Sequence, residues 1–307
     1  MVETAAAPDF SDLARVDYVV RVNAVVDHVL THLDSRLQLE DLARVARFSP
    51  FHFHRIFRSI MGETLADFVK RARLERAVVL LSSPERLSLT TIAMRCGFAS
   101  SSAFSTAFSA RYGVPPRRFD LAGHRAEHRA ALTGGRIDRL PTGSNPDRFS
   151  AALRDIPQRR IAYLRALRPY STDAVTTQTE RMTEWARNHG VVDAEWLGIQ
   201  WDDPEVVALE DCRYDVAVVV PARLRIDGGV SETILPEMRV AEVAIHGDVE
   251  LELRAIDWLY RTWLPRSGYL PAELPAMEAW NGAPSAEADG TYRLRVVLPL
   301  QLGGGAS

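Results

Sequence analysis

The sequence predicts two domains, an all-α N-terminal half followed by an α+β C-terminal half. Three observations carry this. A length of 307 residues fits two domains of ordinary size. Up to residue 120, apolar residues recur at helical spacing, whereas after residue 157 short β-branched runs alternate with helical stretches. Between them, Leu121 to Pro157 holds Thr133-Gly134-Gly135 and Pro141 to Pro146 with few large apolar side chains, which reads as a linker, mobile around residues 133 to 147. The expected division is a tail at 1–16, a helical domain at 17–120, a linker at 121–156, an α+β domain at 157–302 and a tail at 303–307.

Composition excludes several classes. Hydrophobic residues at 47% and charged residues at 25% rule out a collagen-like or largely disordered chain. The longest apolar run, Val216 to Ala222, is strand-sized, far short of a membrane span. Met1 to Phe10 lacks the basic and apolar regions of a signal peptide. Cys96 and Cys212 are far apart and form neither a disulfide framework nor a zinc spacing. The expectation is a cytoplasmic protein, nucleoid-associated, with no cofactor, metal or membrane partner.

Charge divides along the chain. From Arg15 to Arg125 there are 17 Arg and Lys against 10 Asp and Glu, and from Ala126 onward 20 against 27. A basic half beside an acidic one suggests a polyanion partner for the first. Lys70 is the only lysine, so the positive charge sits on arginine, which suits bidentate phosphate or base contacts.

In the basic half, Asp17 to Leu33 reads as an amphipathic helix and Leu39 to Ala46 as a short one. Ser49 then caps a helix that begins at Pro50, where a missing N–H costs nothing, and ends at Gly62. Phe53, Ile56, Phe57 and Ile60 form its apolar face; Phe51, His54, Arg55 and Arg58 form the other. Two helices about a tight turn, the second with a basic outer face, make a helix-turn-helix plan. Thr64 to Leu81 reads as a long connecting helix. The plan then recurs: Leu89 to Cys96 is a short helix, Gly97-Phe98 the turn, Ser100 the cap, Phe104, Ala107 and Phe108 the buried face, and Gly113 the stop. Two such second helices on one rod can enter successive major grooves of a DNA duplex.

Residues 20 to 119 resemble the AraC/XylS DNA-binding domain. The resemblance rests on Ile92-Ala93, Gly97-Phe98, Phe104-Ser105, Phe108, Arg111-Tyr112-Gly113, Pro116 and Phe119, with a weaker echo in Leu42-Ala43, Phe53, Arg55, Phe57 and Gly62. It implies seven helices and sequence-specific binding to promoter DNA. It makes Phe51, His54 and Arg55 base-reading residues and places Arg58 on phosphate. In the second reading helix the outer face is Ser101, Ser102, Ser105, Thr106 and Ser109. Short hydroxyls reach phosphate but cannot make a bidentate contact to guanine, so the first unit is expected to supply most of the specificity.

The acidic half also repeats. Arg159–Ala166 is read as a strand, Thr172–Asn188 as a helix, Trp196–Trp201 and Cys212–Val220 as strands; then Met238–Ile245 as a strand, Leu251–Leu264 as a helix, Met277–Trp280 and Tyr292–Leu298 as strands. A duplicated strand–helix–strand–strand unit implies an antiparallel sheet with helices on one side and a groove between the halves. All six tryptophans fall here, and Glu278 stands between Met277 and Trp280, where a carboxylate among rings would favour a cation. Residues 157 to 302 resemble a GyrI-like effector-binding domain, found also in multidrug-responsive regulators, through Trp201 to Pro204, Arg213 to Asp215, Trp263 to Tyr269 and Glu278 to Asn281. That resemblance makes Glu278, Trp280, Tyr170 and Trp201 ligand-contact residues. Where the family often has Gly-Pro-Tyr, the second repeat has His246-Gly247-Asp248, so Asp248 either replaces an aromatic wall residue or adds an acid to the groove.

Together these readings describe a non-enzymatic transcription regulator with duplex promoter DNA, a small apolar or cationic aromatic effector and RNA polymerase as partners. Two alternatives stand beside it. One is a GyrI-like hydrolase of strained-ring cytotoxic compounds, using Glu278 and a nearby Tyr. The other is a nucleoid- or gyrase-associated protein that needs no ligand.

Overall fold

A computed structural model describes residues 10–81, 86–135, 140–170 and 173–302. The chain forms two compact units, one of residues up to Arg125 together with 227–231, the other of the remainder.

The first unit is helical, as the 3.6-residue periodicity predicts: α1 (Phe10–Thr31), α2 (Leu39–Val45), α3 (Pro50–Met61), α4 (Leu65–Leu81), α5 (Leu89–Arg95) and α6 (Ser101–Tyr112), then a 3-10 turn at Pro116–Arg118; α7 (Leu121–Thr133) starts in this unit and belongs to the second from Ala126 on. Local chemistry sets the ends of the two second helices. The Ser49 hydroxyl accepts from the His52 N–H and that of Ser100 from the Ala103 N–H, with Pro50 at the first position of α3. Gly62 and Gly113 close α3 and α6 in the left-handed conformation that only glycine adopts cheaply. Phe53, Phe57 and Phe68 pack edge to face in the core of the first helix-turn-helix, and Phe104, Phe108 and Phe119 in that of the second.

The connecting helix α4 ties the two together. Its Arg73 donates to the carbonyls of Leu33 and Ser35 beyond the end of α1, at 2.9 and 2.7 Å. A Cβ at Gly97 would collide with the same Leu33 carbonyl and with the Arg73 guanidinium, so the turn of the second motif fits only a glycine there. Arg71, buried on α4, pairs with Glu63 after α3 and with Glu75, and Glu75 reaches Arg111 of α6 at 4.0 Å. Burial, with the Glu75 charge next, pushes the neighbouring Tyr112 phenol up to about 12.

The second unit is an antiparallel sheet of nine strands among the described residues: β1 (Ala152–Ile156), β2 (Arg159–Leu167), β3 (Glu195–Gln200), β4 (Arg213–Val219), β5 (Ser231–Leu235), β6 (Met238–Gly247), β7 (Tyr269–Pro271), β8 (Ala276–Asn281) and β9 (Tyr292–Leu302). Their order is β1-β6-β9-β8-β3-β4-β2-β5, with β7 beside β9. Helix α8 (Ala174–Asn188) packs over β2 and β4, and α9 (Val249–Trp258) over β6 and β9. The central strands β3 and β8 lie between these pairs. Beyond α9 the helix widens into a π turn, Leu259–Trp263, and ends in α10, Leu264–Ser267, at Gly268. The expected helix at Leu251–Leu264 is therefore this broken one.

The stretch 121–156, expected as a linker, holds regular structure. Its polar composition hides α7, whose Arg129 is buried in ion pairs with Glu205 and Asp257 at 2.9 and 2.7 Å. Its last residues form β1, an exposed edge strand paired with β6. Within the stretch expected to be mobile, residues 136–139 lie outside the described ones, while Asn145 closes a turn on Phe149 and Asp147 pairs with Arg254 at 2.9 Å. Of the tail expected at 1–16, residues from Phe10 on already belong to α1, which starts earlier than the expected Asp17, while residues 1–9, the tail at 303–307 and the expected helix start at Thr172 lie outside the described residues. No helix among the described residues is long and apolar enough to cross a membrane.

Candidate nucleic-acid interface and ligand groove

The outer face of α3 is built as its sequence predicts. Phe53 and Phe57 anchor the helix from below, leaving Phe51, His54, Arg55 and Arg58 exposed. Phe51 is 66% exposed, unusual for a phenylalanine in a folded unit, and its ring carries the Arg55 guanidinium at 4.9 Å. His54, Arg55, Arg58 and Ser59 line an open depression on this face. This gathers four candidate contact residues onto one surface.

The corresponding face of α6 differs. Ser102 and Thr106 are exposed, but Ser101 and Ser105 are half-buried. The Ser105 hydroxyl donates to the Ser101 carbonyl and that of Ser109 to the Ser105 carbonyl, both at 2.8 Å. Hydroxyls turned back onto their own helix are less available to an outside partner.

In the second unit, strand register assembles a site at the centre of the sheet. Gly198 of β3 lies between Glu278 of β8 and Val216 of β4, and Gln200 lies opposite Tyr214. The Tyr214 hydroxyl donates to one Glu278 oxygen at 2.7 Å, and the Gln200 amide to the other at 2.9 Å. A Cβ at Gly198 would collide with the Tyr214 hydroxyl and crowd Glu278, so glycine here makes the hydrogen bond fit. From α9, Glu252 accepts from the Tyr292 hydroxyl at 2.7 Å.

Electrostatics reflect this crowding. Burial, then the Glu278 charge, raises the Glu252 carboxyl well above the usual carboxylate range. Burial together with nearby carboxylates raises the phenols of Tyr170, Tyr214 and Tyr292, so all three remain hydrogen-bond donors at neutral pH. The Trp280 ring sits 5.3 Å from that of Tyr292, and its indole N–H is buried without a hydrogen-bond partner.

Of the four residues named as ligand contacts, Glu278 and Trp280 share one face of β8, and the Tyr170 phenol feels the Glu278 charge. The structure does not bring Trp201 to them. Its indole N–H donates to Asp215 at 2.6 Å, beneath the buried Arg165–Asp215 pair, and its ring packs with the apolar cluster on the other face of the sheet. Successive strand residues alternate faces, so Gln200 and Trp201 part ways at the end of β3. Asp248 is exposed and caps α9, its carboxylate accepting from the Leu251 N–H at 3.0 Å. The second acid of the groove is Glu252 instead. Gln200, Glu252 and Tyr292 escaped the sequence reading, and Tyr214 entered it only within the Arg213 to Asp215 stretch. For Glu252 a signal existed: it shares one stripe of helix with Ala255 of α9 and Leu259 just beyond it, both fully buried.

Comparison with known proteins bears on both units. Residues 42–121 match the model of a helix-turn-helix domain, and residues 152–301 that of a GyrI-like small molecule binding domain. The regulatory protein SoxS of Escherichia coli is 32% identical over 85 residues, covering 28% of this chain and 78% of SoxS. The transcriptional activator AarP of Providencia stuartii is 31% identical over 91 residues, covering 30% of this chain and 67% of AarP. A DNA gyrase inhibitor of Serratia proteamaculans is 29% identical over 162 residues, covering 50% of this chain and all of that protein. With other curated relatives the match spans less than half of their length. A paired helix-turn-helix fold with capped second helices, followed by a curled antiparallel sheet, and matches of both kinds lead to one assignment: the chain belongs to the AraC-type helix-turn-helix family of transcriptional regulators and carries a GyrI-like small molecule binding domain.

Proposed function

We propose that this protein binds specific promoter sequences through α3, helped by α6, and adjusts that binding to a small effector held over Glu278. The observation that carries the DNA half is the exposed set Phe51, His54, Arg55 and Arg58 on a capped helix anchored by Phe53 and Phe57. Arginine reads guanine bidentately, and an apolar ring suits a thymine methyl. With only Ser102 and Thr106 fully exposed among its candidates, α6 serves mainly for phosphate contact. RNA polymerase is a further partner in this reading, and the cytoplasm is where such a regulator works.

The effector half rests on Glu278, buried at the centre of the sheet and held between Tyr214 and Gln200. Two neutral donors orient the carboxylate without supplying a counter-charge, which suits a cationic aromatic compound, while the neighbouring Trp280 and Tyr292 rings suit an apolar one. Coupling requires that the compound bind two states of the protein unequally.

The test is occupancy of duplex DNA by the full chain, with selection from a randomised pool and a titration of aromatic cations. Recovery of a defined sequence, with affinity changed by a compound and the change lost in Glu278→Gln, supports the proposal. Sequence-indifferent binding, or binding unmoved by any compound, points to the nucleoid-type role. Conversion of the compound to product, lost in Glu278→Gln, points to a hydrolase.

A further inference from the structure

An open pocket of about 260 Å³ lies in the second unit where α9, the π turn and α10 meet the stretch before β1. Trp258, Thr262, Trp263, Arg266 and Ser267 line one side of it, Gly143 and Asn145 the other. Neither Glu278 nor the residues bonded to it take part. We propose that this pocket binds a small aromatic monocarboxylate, its flat body against the two indoles and its charge on the Arg266 guanidinium.

The backbone builds the two walls. In an α-helix, residues five apart point about 140° from each other, so Trp258 and Trp263 would face different ways. The π turn Leu259–Trp263 intervenes, and its i→i+5 hydrogen bonding sets residues five apart in line. Both indoles therefore line the pocket. Single π turns of this kind are rare and recur at functional sites. Across from them Gly143 adopts a left-handed φ of 87°, and a Cβ there would meet the Arg266 guanidinium at 2.9 Å. Glycine at this point lets the exposed cation lie against the loop.

Most polar groups of the lining are spoken for. The Asn145 amide closes on the N–H and carbonyl of Phe149. The Ser267 hydroxyl donates to the Leu264 carbonyl and accepts from the Tyr269 N–H. Two groups are left for a ligand. The Thr262 hydroxyl, 8% exposed, accepts from the Gly143 N–H at 3.0 Å and keeps its own proton to donate. Arg266 has no acid partner among the described residues. Acids on the adjoining elements are already paired, Asp147 with Arg254 and Asp257 with Arg129. Arg261 of the π turn adds a second cation, since the Leu140 carbonyl and Thr142 hydroxyl to which it donates are both neutral.

Aromatic walls, one hydroxyl donor, an unpaired guanidinium and no carboxylate in the lining select a flat apolar body with one negative charge. Guanidinium meets a carboxylate through two parallel hydrogen bonds, and aromatic faces hold a ring. A phosphate would leave the indoles unused, and a cation would meet Arg266 as a like charge. The preference is thus opposite in sign to the one read at Glu278, and it does not depend on that reading.

Calorimetry and the indole N–H resonances of the full chain test the site with 2-naphthoate. One equivalent should bind, and the signals assigned through Trp258→Phe and Trp263→Phe should move most. Arg266→Gln, at an exposed position, should weaken binding about tenfold with an unchanged melt, and Arg266→Lys should restore part of the loss. The neutral isostere 2-naphthamide should bind about tenfold more weakly, and N-methylquinolinium should not compete. No binding of 2-naphthoate at millimolar concentration, equal binding of the amide, or affinity indifferent to Arg266→Gln each overturns the site. Displacement of 2-naphthoate by N-methylquinolinium, with the Trp258 and Trp263 signals unmoved, assigns the compound to the centre of the sheet and overturns it as well.

Discussion

The Arg55 guanidinium lies 4.9 Å from the centre of the Phe51 ring, one helical turn away on the outer face of α3. The ring restrains a long, flexible side chain before any partner arrives, which lowers the entropy cost of a bidentate contact. Truncating either residue therefore affects recognition through the same element.

Arg55→Ala should weaken the preferred DNA site by about 1–3 kcal/mol and relax its sequence preference. Arg58→Ala should weaken preferred and random duplexes alike and lower the salt slope by about one. Thr106→Ala should cost less than Arg55→Ala. Fluorescence anisotropy across salt concentrations distinguishes the three, and a larger loss from Thr106→Ala would reverse the ranking of the two reading helices.

Arg71 is buried against Glu63 and Glu75, and its removal leaves buried Glu75 without its nearer cation. Breaking a buried pair from one side costs about 3–5 kcal/mol. A lower melting temperature for Arg71→Ala is expected, with loss of simultaneous contact by α3 and α6 in a footprint. An unchanged melt would show that the network contributes little.

Gly198→Ala places a methyl group where the Tyr214 hydroxyl now sits. The Tyr214–Glu278 hydrogen bond should break and effector binding should fall, while DNA affinity without effector stays as it was. Calorimetry for the compound and anisotropy for the DNA read the two effects separately.

Trp201→Phe removes the indole N–H that Asp215 accepts, on the face of the sheet opposite Glu278. Asp215 keeps its pair with Arg165, so stability should drop by about 1.5–3 kcal/mol for the one lost hydrogen bond to a charged acceptor, and effector affinity should not follow. Loss of effector binding in a fully folded variant would return Trp201 to the groove.

The Glu252 carboxyl is raised, so its contribution to stability is complete below the ordinary carboxylate range and is lost as pH rises toward its folded-state value. Glu252→Gln is free of that loss. Its melting temperature relative to the unmodified protein should climb with pH from the ordinary range upward, in scans without effector.

The helical unit was legible because its signals are local. Ser49, Pro50, Gly62, Ser100 and Gly113 each mark a helix end through their own backbone chemistry, and Phe53 and Phe57 declare the buried side by spacing alone. The groove was legible only in part, since its geometry comes from pairing between distant strands. Glu278 announced itself as a carboxylate among aromatics, but Tyr214 and Gln200 become its partners only through the β3–β4 and β3–β8 registers. Trp201 shows the limit sharply: one residue beyond Gln200, it faces the other way. The polar run of α7 and the short edge strand β1 carried no strong periodicity, and buried Arg129 gives α7 partners that sequence spacing cannot reveal.

The ties that Arg71, Arg73 and Glu75 make across α4 bear on how binding sites for such a protein can diversify. A braced pair of readers cannot stretch to follow an inserted half-turn, which would carry one contact block to the far side of the helix axis. Sites in a genome would then drift by base substitution while keeping their phasing, so a search for them needs a fixed spacer and a permissive second block.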